Sequence, residues 1–549
     1  MQYAEFPILS LIIFSPVLGI ALAGVFRDAS DGIPAKVAAL SSSLLTFLLS
    51  LYLWFHFDAS EEGLQLVERT GWIPQFNIEY FLGLDGLNLF FLLIITFITP
   101  LALLGSWNLQ KRNWQFQIQM LLLEIGMLGC FAAFDVVLFY VFFEVMLVPM
   151  YFLIGIWGGS NRLYATMKFV IYTMVGSLLM LVALIYTAIL FKEINNGWSF
   201  NILDWYGMNI APETQTWLFL GFAVAFAVKI PLFPFHTWLP DAHYEAPTAG
   251  SVQLAAVMLK FGPYGFLRFA MPVFPAAVYE LTPLFITLSL IGIIYGGLVA
   301  MVQKQIKRLI AYSSVAHMGY IVLGLFALNT QGVYGGWIQM INHAIVTGAL
   351  FLVVGMIYER THTQEIVDYG GVIQTMPLFS VFLVFFSMAS VGLPGLNGFV
   401  GEVLAMVGAA RVNIWYGIIA AAGVIIAAIY MLWMVQRVLF GPLVKDMVKG
   451  LNDLSLREVV VLAPLAFWTV FLGVYPQPFF DRIDVSVQKY IEQIKSQEPR
   501  FAQDENKQKD LLSLMGLKKP ELLSKRGTLF VFSLYLFPPW QVFQPAISS

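Results

Sequence analysis

The stretch Lys229-Ile-Pro-Leu-Phe-Pro-Phe-His-Thr-Trp-Leu-Pro-Asp-Ala-His243 follows a charge-free apolar run from Trp217 to Val228. A lysine at membrane depth costs about 2.5–3.5 kcal/mol on insertion scales, so it needs a partner or a job. Pro231 lacks an amide hydrogen, which frees the carbonyl of Ala227 and predicts a broken helix at that point. Titratable groups at broken membrane helices build ion paths.

The rest of the chain fits that setting. Of 549 residues, 59% are hydrophobic and only 11% charged, and mean hydropathy is +0.78. Soluble proteins carry about 25% charged residues, so the class is integral membrane. The one cysteine, Cys130, excludes an internal disulfide and a cysteine-held iron–sulfur cluster within the chain. A net charge of −3 and the lack of a basic stripe give no sign of nucleic-acid binding. No Gly-rich nucleotide loop follows a strand. The apolar N-terminus has no Lys or Arg before Arg27, so its first helix is expected to be retained rather than cleaved.

Apolar segments long enough to span recur at 5–26, 35–57, 84–107, 115–133, 135–157, 164–190, 216–230, 249–271, 281–302, 306–327, 332–357, 375–410, 414–439 and 458–475. The expectation is an all-α integral membrane protein of about fourteen transmembrane helices. The twelfth is too long for one straight helix and breaks at Gly392-Leu-Pro-Gly-Leu-Asn-Gly398, where Pro394 frees the carbonyl of Ser390. Discontinuous helices seven and twelve lie five spans apart, and an odd interval inverts the second unit. The layout is then 1–112 for three N-terminal helices, 113–271 for a first five-helix repeat and 272–441 for its inverted copy. Residues 442–480 hold the fourteenth helix, and 481–549 form a polar tail with a short apolar end at Gly527 to Phe537. Basic clusters at Lys111-Arg112, Lys304 to Arg308 and Arg437 to Arg457 fall on one side, which should be cytoplasmic, with the N-terminus outside.

Six ionisable groups lie at membrane depth: Glu144, Lys229, Lys260, His317, His343 and Glu402. Proton transfer through low dielectric needs groups whose affinity for protons is tuned by burial and by a switchable neighbour. A Glu–Lys pair of variable separation would load and release a proton on the lysine, and histidines titrate near neutrality as relays. Glu124, also mid-span, is expected to hydrogen-bond a neighbouring helix, and Lys168 to snorkel from a helix start. His236, Asp241 and His243 sit in a Pro-rich boundary loop, where gate and loop-stapling roles both fit. Their spacing matches no usual zinc site, so no metal is expected.

Three motifs now combine: the Lys229 to Thr248 stretch, Leu-Ile-Ala-Tyr-Ser-Ser-Val-Ala-His317-Met-Gly, and Gly-Leu-Pro-Gly-Leu-Asn-Gly-Phe-Val-Gly-Glu402. Together they resemble the signatures of antiporter-like subunits of complex I and of Mrp-type antiporters, over roughly residues 80 to 475. An acidic residue at 402 is similar to the subunit 4 type rather than subunit 5, where lysine is usual. The opening Phe-Pro-Ile-Leu-Ser-Leu-Ile-Ile-Phe-Ser-Pro looks cyanobacterial. The resemblance implies a proton-translocating subunit of an NAD(P)H– or ferredoxin–plastoquinone oxidoreductase in a thylakoid membrane. It pairs Glu144 with Lys229 and places Lys260, His317, His343 and Glu402 after them on the path. It also implies no cofactor on this chain, with iron–sulfur clusters and quinone in hydrophilic and membrane-arm partner subunits, and lipid around it. Two other readings stay open: a cation/proton antiporter subunit without redox partners, and a scaffold whose buried charges hold a membrane arm together.

Overall fold

Hydropathy places the helices, and proline and capping residues place their ends. The computed structural model describes residues 1–27 and 32–496, and Met1–Gln497 form one compact unit. α1 (Ile8–Phe14) and α2 (Pro16–Val25) make one apolar stretch jointed at Ser15, because Pro16 carries no amide hydrogen. α3 (Ile33–His56) follows, then two strands, β1 (Gln65–Ile73) and β2 (Ile78–Leu84). The strands pair antiparallel, with Glu68 opposite Leu82 and Arg69 opposite Phe81, and turn through Asn77 at φ 52°. This hairpin corrects the all-α expectation. Phe134 N donates to Phe81 O at 2.9 Å, docking the hairpin on a helix junction.

α4 (Leu89–Gly105) and α5 (Asn113–Ala132) come next. α6 (Val136–Val145) begins where Asp135 Oδ1 accepts from Val137 N and Leu138 N, a side-chain N-cap. α7 (Leu147–Trp157) continues it after a joint at Met146, with Pro149 in its first turn. α8 (Arg162–Asn195) is 34 residues long, and a short α9 (Ile202–Trp205) leads to α10 (Pro212–Lys229). α11 (Trp238–Glu245) and α12 (Thr248–Ala256) precede a 3₁₀ turn at Met258–Lys260, then α13 (Phe261–Gly265) and a π turn to Ala270.

The second half runs α14 (Pro275–Met301), α15 (Ile306–Phe326), α16 (Thr330–Thr361), α17 (Pro377–Val391), α18 (Asn397–Val412) and α19 (Ile414–Leu439). A short α20 (Asp446–Lys449) precedes α21 (Leu456–Val474), which starts with a Ser455–Glu458 capping box. α22 (Gln477–Ser496) buries Phe479, Ile483, Val487, Tyr490, Ile491 and Ile494 at helical spacing, while Asp481, Asp484 and Lys489 stay exposed. It runs unbroken through 481, where the sequence reading began a polar tail. The apolar Gly527 to Phe537 stretch lies outside the described residues.

Among the described residues, ten helical stretches are long and apolar enough to cross a membrane, and α4 and α17 are shorter apolar helices. The breaks after Lys229 and around Pro394 are present, and Leu232 N takes the freed carbonyl of Ala227 at 2.9 Å. Three further interruptions, at Ser15, Met146 and Val257–Lys260, show that discontinuity is not confined to two helices.

Helices apolar all round should be central. The apolar window of α16 is 100% buried and that of α15 94%, against 39% for α19. α15 and α16 meet through glycines: a Cβ at Gly324 would lie 2.5 Å from the carbonyl of Gly332. Backbones this close leave no room for a side chain. The two most enclosed helices are the ones that carry His317 and His343.

Candidate functional site

Four of the six expected groups come together along the core. Lys260 sits in the 3₁₀ turn between α12 and α13, where the α-helical ladder is interrupted. Its Nζ donates to the carbonyl of Ala255 at 2.5 Å and lies 2.7 Å from His343 Nδ1 on α16. Nε2 of His343 is buried with no hydrogen-bond partner. The His343 and His317 rings lie 5.8 Å apart between centroids. Both line a cavity of about 10 Å³ together with Asn342 and Ser390, at the lower limit for a single water. His317 on α15 then meets Glu402 on α18, Nδ1 to Oε1 at 2.7 Å, while its Nε2 lies 3.1 Å from Ser390 Oγ.

The break between α17 and α18 makes room for Glu402. Gly392 ends α17 at φ +79°, and a Cβ there would lie 3.2 Å from Glu402 Oε2. Asn342 Nδ2 donates to the carbonyl of Asn397 at 2.7 Å, tying the first residue of α18 to α16. Gln339 Nε2 donates to Glu402 Oε1 at 3.2 Å. Gln339 escaped the sequence reading, although it stands four residues before His343 and so shares its helix face.

The remaining two candidates are held differently. Glu144 is the penultimate residue of α6, beside the Met146 joint, and its Oε1 is buried with no hydrogen-bond partner. Lys229 ends α10 and is only 2% exposed, yet its Nζ also has no hydrogen-bond partner. The amine rests over the Phe143 ring at 4.8 Å and the Phe169 ring at 5.9 Å. The expected Glu144–Lys229 contact is therefore open in this structure.

Beside this axis the expected boundary loop is in part a helix: Asp241 and His243 stand on α11, and His236 lies in the turn before it. Asp241 accepts from Lys168 Nζ at 2.8 Å and from Arg308 at 3.2 Å, so it staples α11 to α8 and α15. Lys168 is thus tethered as well as near a helix start. His236 stacks on Phe233, and His243 stacks on Phe351 with ring centroids 4.5 Å apart. All four of their ring nitrogens are buried without partners. Glu124 is fully buried, with Thr99 of the neighbouring α4 as the hydroxyl beside its carboxylate.

Two ion pairs went unread because their members are far apart in sequence. Arg268 meets Asp85 at 2.5 Å across 183 positions, and Arg360 makes two bonds of 2.7 Å to Glu458. Among the described residues, no three His, Cys, Asp or Glu side chains are grouped to hold a metal.

Residues 133–429 match the family described as NADH:quinone oxidoreductase/Mrp antiporter, transmembrane. NADH-quinone oxidoreductase subunit M of Rhodobacter capsulatus is 46% identical over 87% of this chain and 95% of its own length. NADH-ubiquinone oxidoreductase chain 4 of Arabidopsis thaliana is 42% identical over 88% of this chain and 97% of its own. A chain of respiratory complex I from Thermus thermophilus superposes with a TM-score of 0.80 at 32% identity, covering 88% of this chain and 99% of that one. This multi-pass membrane chain belongs to the NADH:quinone oxidoreductase/Mrp antiporter family, in its subunit M, or chain 4, branch.

Proposed function

We propose that this chain moves protons across a membrane as the antiporter-like subunit of an NADH–quinone oxidoreductase, using its buried Lys, His and Glu side chains as the carriers. Partner subunits of that assembly hold the iron–sulfur clusters, oxidise the donor and reduce the quinone. The chain makes fourteen crossings, with α5–α13 and α14–α19 as inverted five-helix repeats. The observation that carries the reading is the buried run Lys260, His343, His317, Glu402, in which each step is a contact of about 2.7 Å or a gap that one water fills.

The chemistry follows from the donors and acceptors. A proton on Lys260 Nζ passes to His343 Nδ1, and His343 offers its other nitrogen toward the small cavity. Water there hands the proton to His317, whose Nδ1 faces Glu402 Oε1. Lys229 feeds this run when Glu144 moves away from it, and holds its proton when Glu144 approaches. A cavity of about 690 Å³, lined by Glu359, Arg360 and Thr248 among others, reaches the start of α12 and supports uptake from the basic side.

The relatives named above carry quinone or ubiquinone in their names, which favours a respiratory membrane over the thylakoid and plastoquinone reading. An Mrp-type antiporter subunit is supported by the shared family description and by likeness of fold alone. A pure scaffold would pair its buried charges, because an unpaired one is costly. Lys229 Nζ and Glu144 Oε1 make no hydrogen bond.

Lys260→Met, which keeps most of the side chain's length and removes its ionisable amine, tests the relay in the assembled complex in proteoliposomes. NADH–quinone turnover should continue while acidification per electron falls by at least about tenfold, the effect of 1.4 kcal/mol on a rate. Unchanged acidification per electron would refute the relay.

A further inference from the structure

Away from the polar axis, α3, α4, α16, α21 and α22 enclose an apolar groove of about 250 Å³. Every side chain lining it is aliphatic or aromatic, from Phe47 and Phe97 at the deep end to Trp54 and Phe479 at the mouth. Phe47 and Trp54 lie seven residues apart on α3, so the groove descends about 10 Å along that helix. An apolar groove of this size offers a hydrocarbon chain dispersion contacts with each of its walls.

A charge stands at the mouth. Arg482, one turn beyond Phe479 on α22, stacks its guanidinium 3.7 Å over the Trp54 ring. Its NH1 donates to the carbonyl of Pro478 at 3.0 Å, and its Nε is buried without a partner. The nearby acids are engaged elsewhere: Asp481 accepts from Gln477, and Asp484 from Tyr334 and Gln488. α22 packs its apolar face on the protein and leaves Asp481, Asp484 and Lys489 exposed, beside Trp54 near the end of α3. A planar guanidinium beside a tryptophan at that level matches a phosphate above an acyl chain.

We propose that this groove binds one phospholipid, its acyl chain between α3 and α4 and its phosphate on Arg482. Its role is independent of the relay, and its loss would leave the Lys260–Glu402 run in place.

The test uses the intact complex and two probes with the same photoactivatable diazirine acyl chain: phosphatidylglycerol and diacylglycerol. Wild type should be labelled within 47–55 and 90–97, with the phospholipid probe ahead by about fivefold, as one charge-assisted bond allows. Arg482→Gln should abolish that preference while leaving residual labelling by both probes. Leu51→Trp, which fills the groove from its lipid side, should lower both; where it fails to assemble, Ile345→Phe serves. Equal labelling by the two probes in wild type would overturn the proposal as mere annular lipid. So would a preference that survives Arg482→Gln, or labelling that is absent because another subunit covers the groove.

Discussion

The two broken-helix regions hold their ionisable groups in opposite ways. At the α10 break, Lys229 is buried with no hydrogen-bond partner, and half-buried Glu144 at the α6–α7 joint leaves its Oε1 unbonded. At the α17–α18 break, Glu402 is held by His317 and Gln339, and α18 is itself tied to α16 through Asn342. A group with a full set of partners has one favoured state. A group with none is held only by the walls around it, so a small displacement changes its energy most. In the proposed relay, the α10 region is the switch and the α18 region the receiver.

Substitutions should separate the two regions. Glu144→Gln removes the charge that acts on Lys229 but leaves the relay intact. Acidification per electron should drop several-fold, roughly 1–2 kcal/mol on the barrier, while quinone turnover persists. Equal loss from Glu144→Gln and Glu144→Asp would contradict a role for the charge, and a proton-sensitive dye in proteoliposomes reads the difference. At the receiver, Gln339→Leu deletes one donor to Glu402, a loss of about 1 kcal/mol, so pumping should fall only about fivefold. If Gln339→Leu proved as severe as Lys260→Met, the receiver would not be over-determined.

The smallest effect lies outside both. Asp135 caps α6, its Oδ1 accepting from Val137 N and Leu138 N. Asp135→Asn keeps an acceptor for the cap and removes the charge, so it should be at least as stable as wild type at pH 7–8, with little change in pumping. Asp135→Ala should cost about 1 kcal/mol by thermal unfolding of the complex.

Much of this was legible in the residues. Hydropathy located the helices because lipid admits little else, and Pro231 and Pro394 located breaks because proline lacks a donor. Lys260, His317, His343 and Glu402 were visible because charge is rare at that depth. The β1–β2 hairpin was not, since Leu66 to Tyr80 alternates weakly and its partners come from a distant helix junction. The joint at Met146 hid inside a continuous apolar run. Gln339 hid because an amide in a span has many ordinary uses. The cyanobacterial and plastoquinone expectation rested on an opening apolar stretch that carries no chemistry, and the relatives named above do not support it.

The central proposal is that Lys229 passes protons because ring faces and the charge of Glu144, rather than a fixed hydrogen bond, hold its amine. The direct measurement is the proton-to-electron ratio of the assembled complex carrying Lys229→Met, with subunit content checked by mass spectrometry. Normal assembly and quinone reduction with a ratio lowered well below wild type is the predicted result. A wild-type ratio in that variant would contradict it.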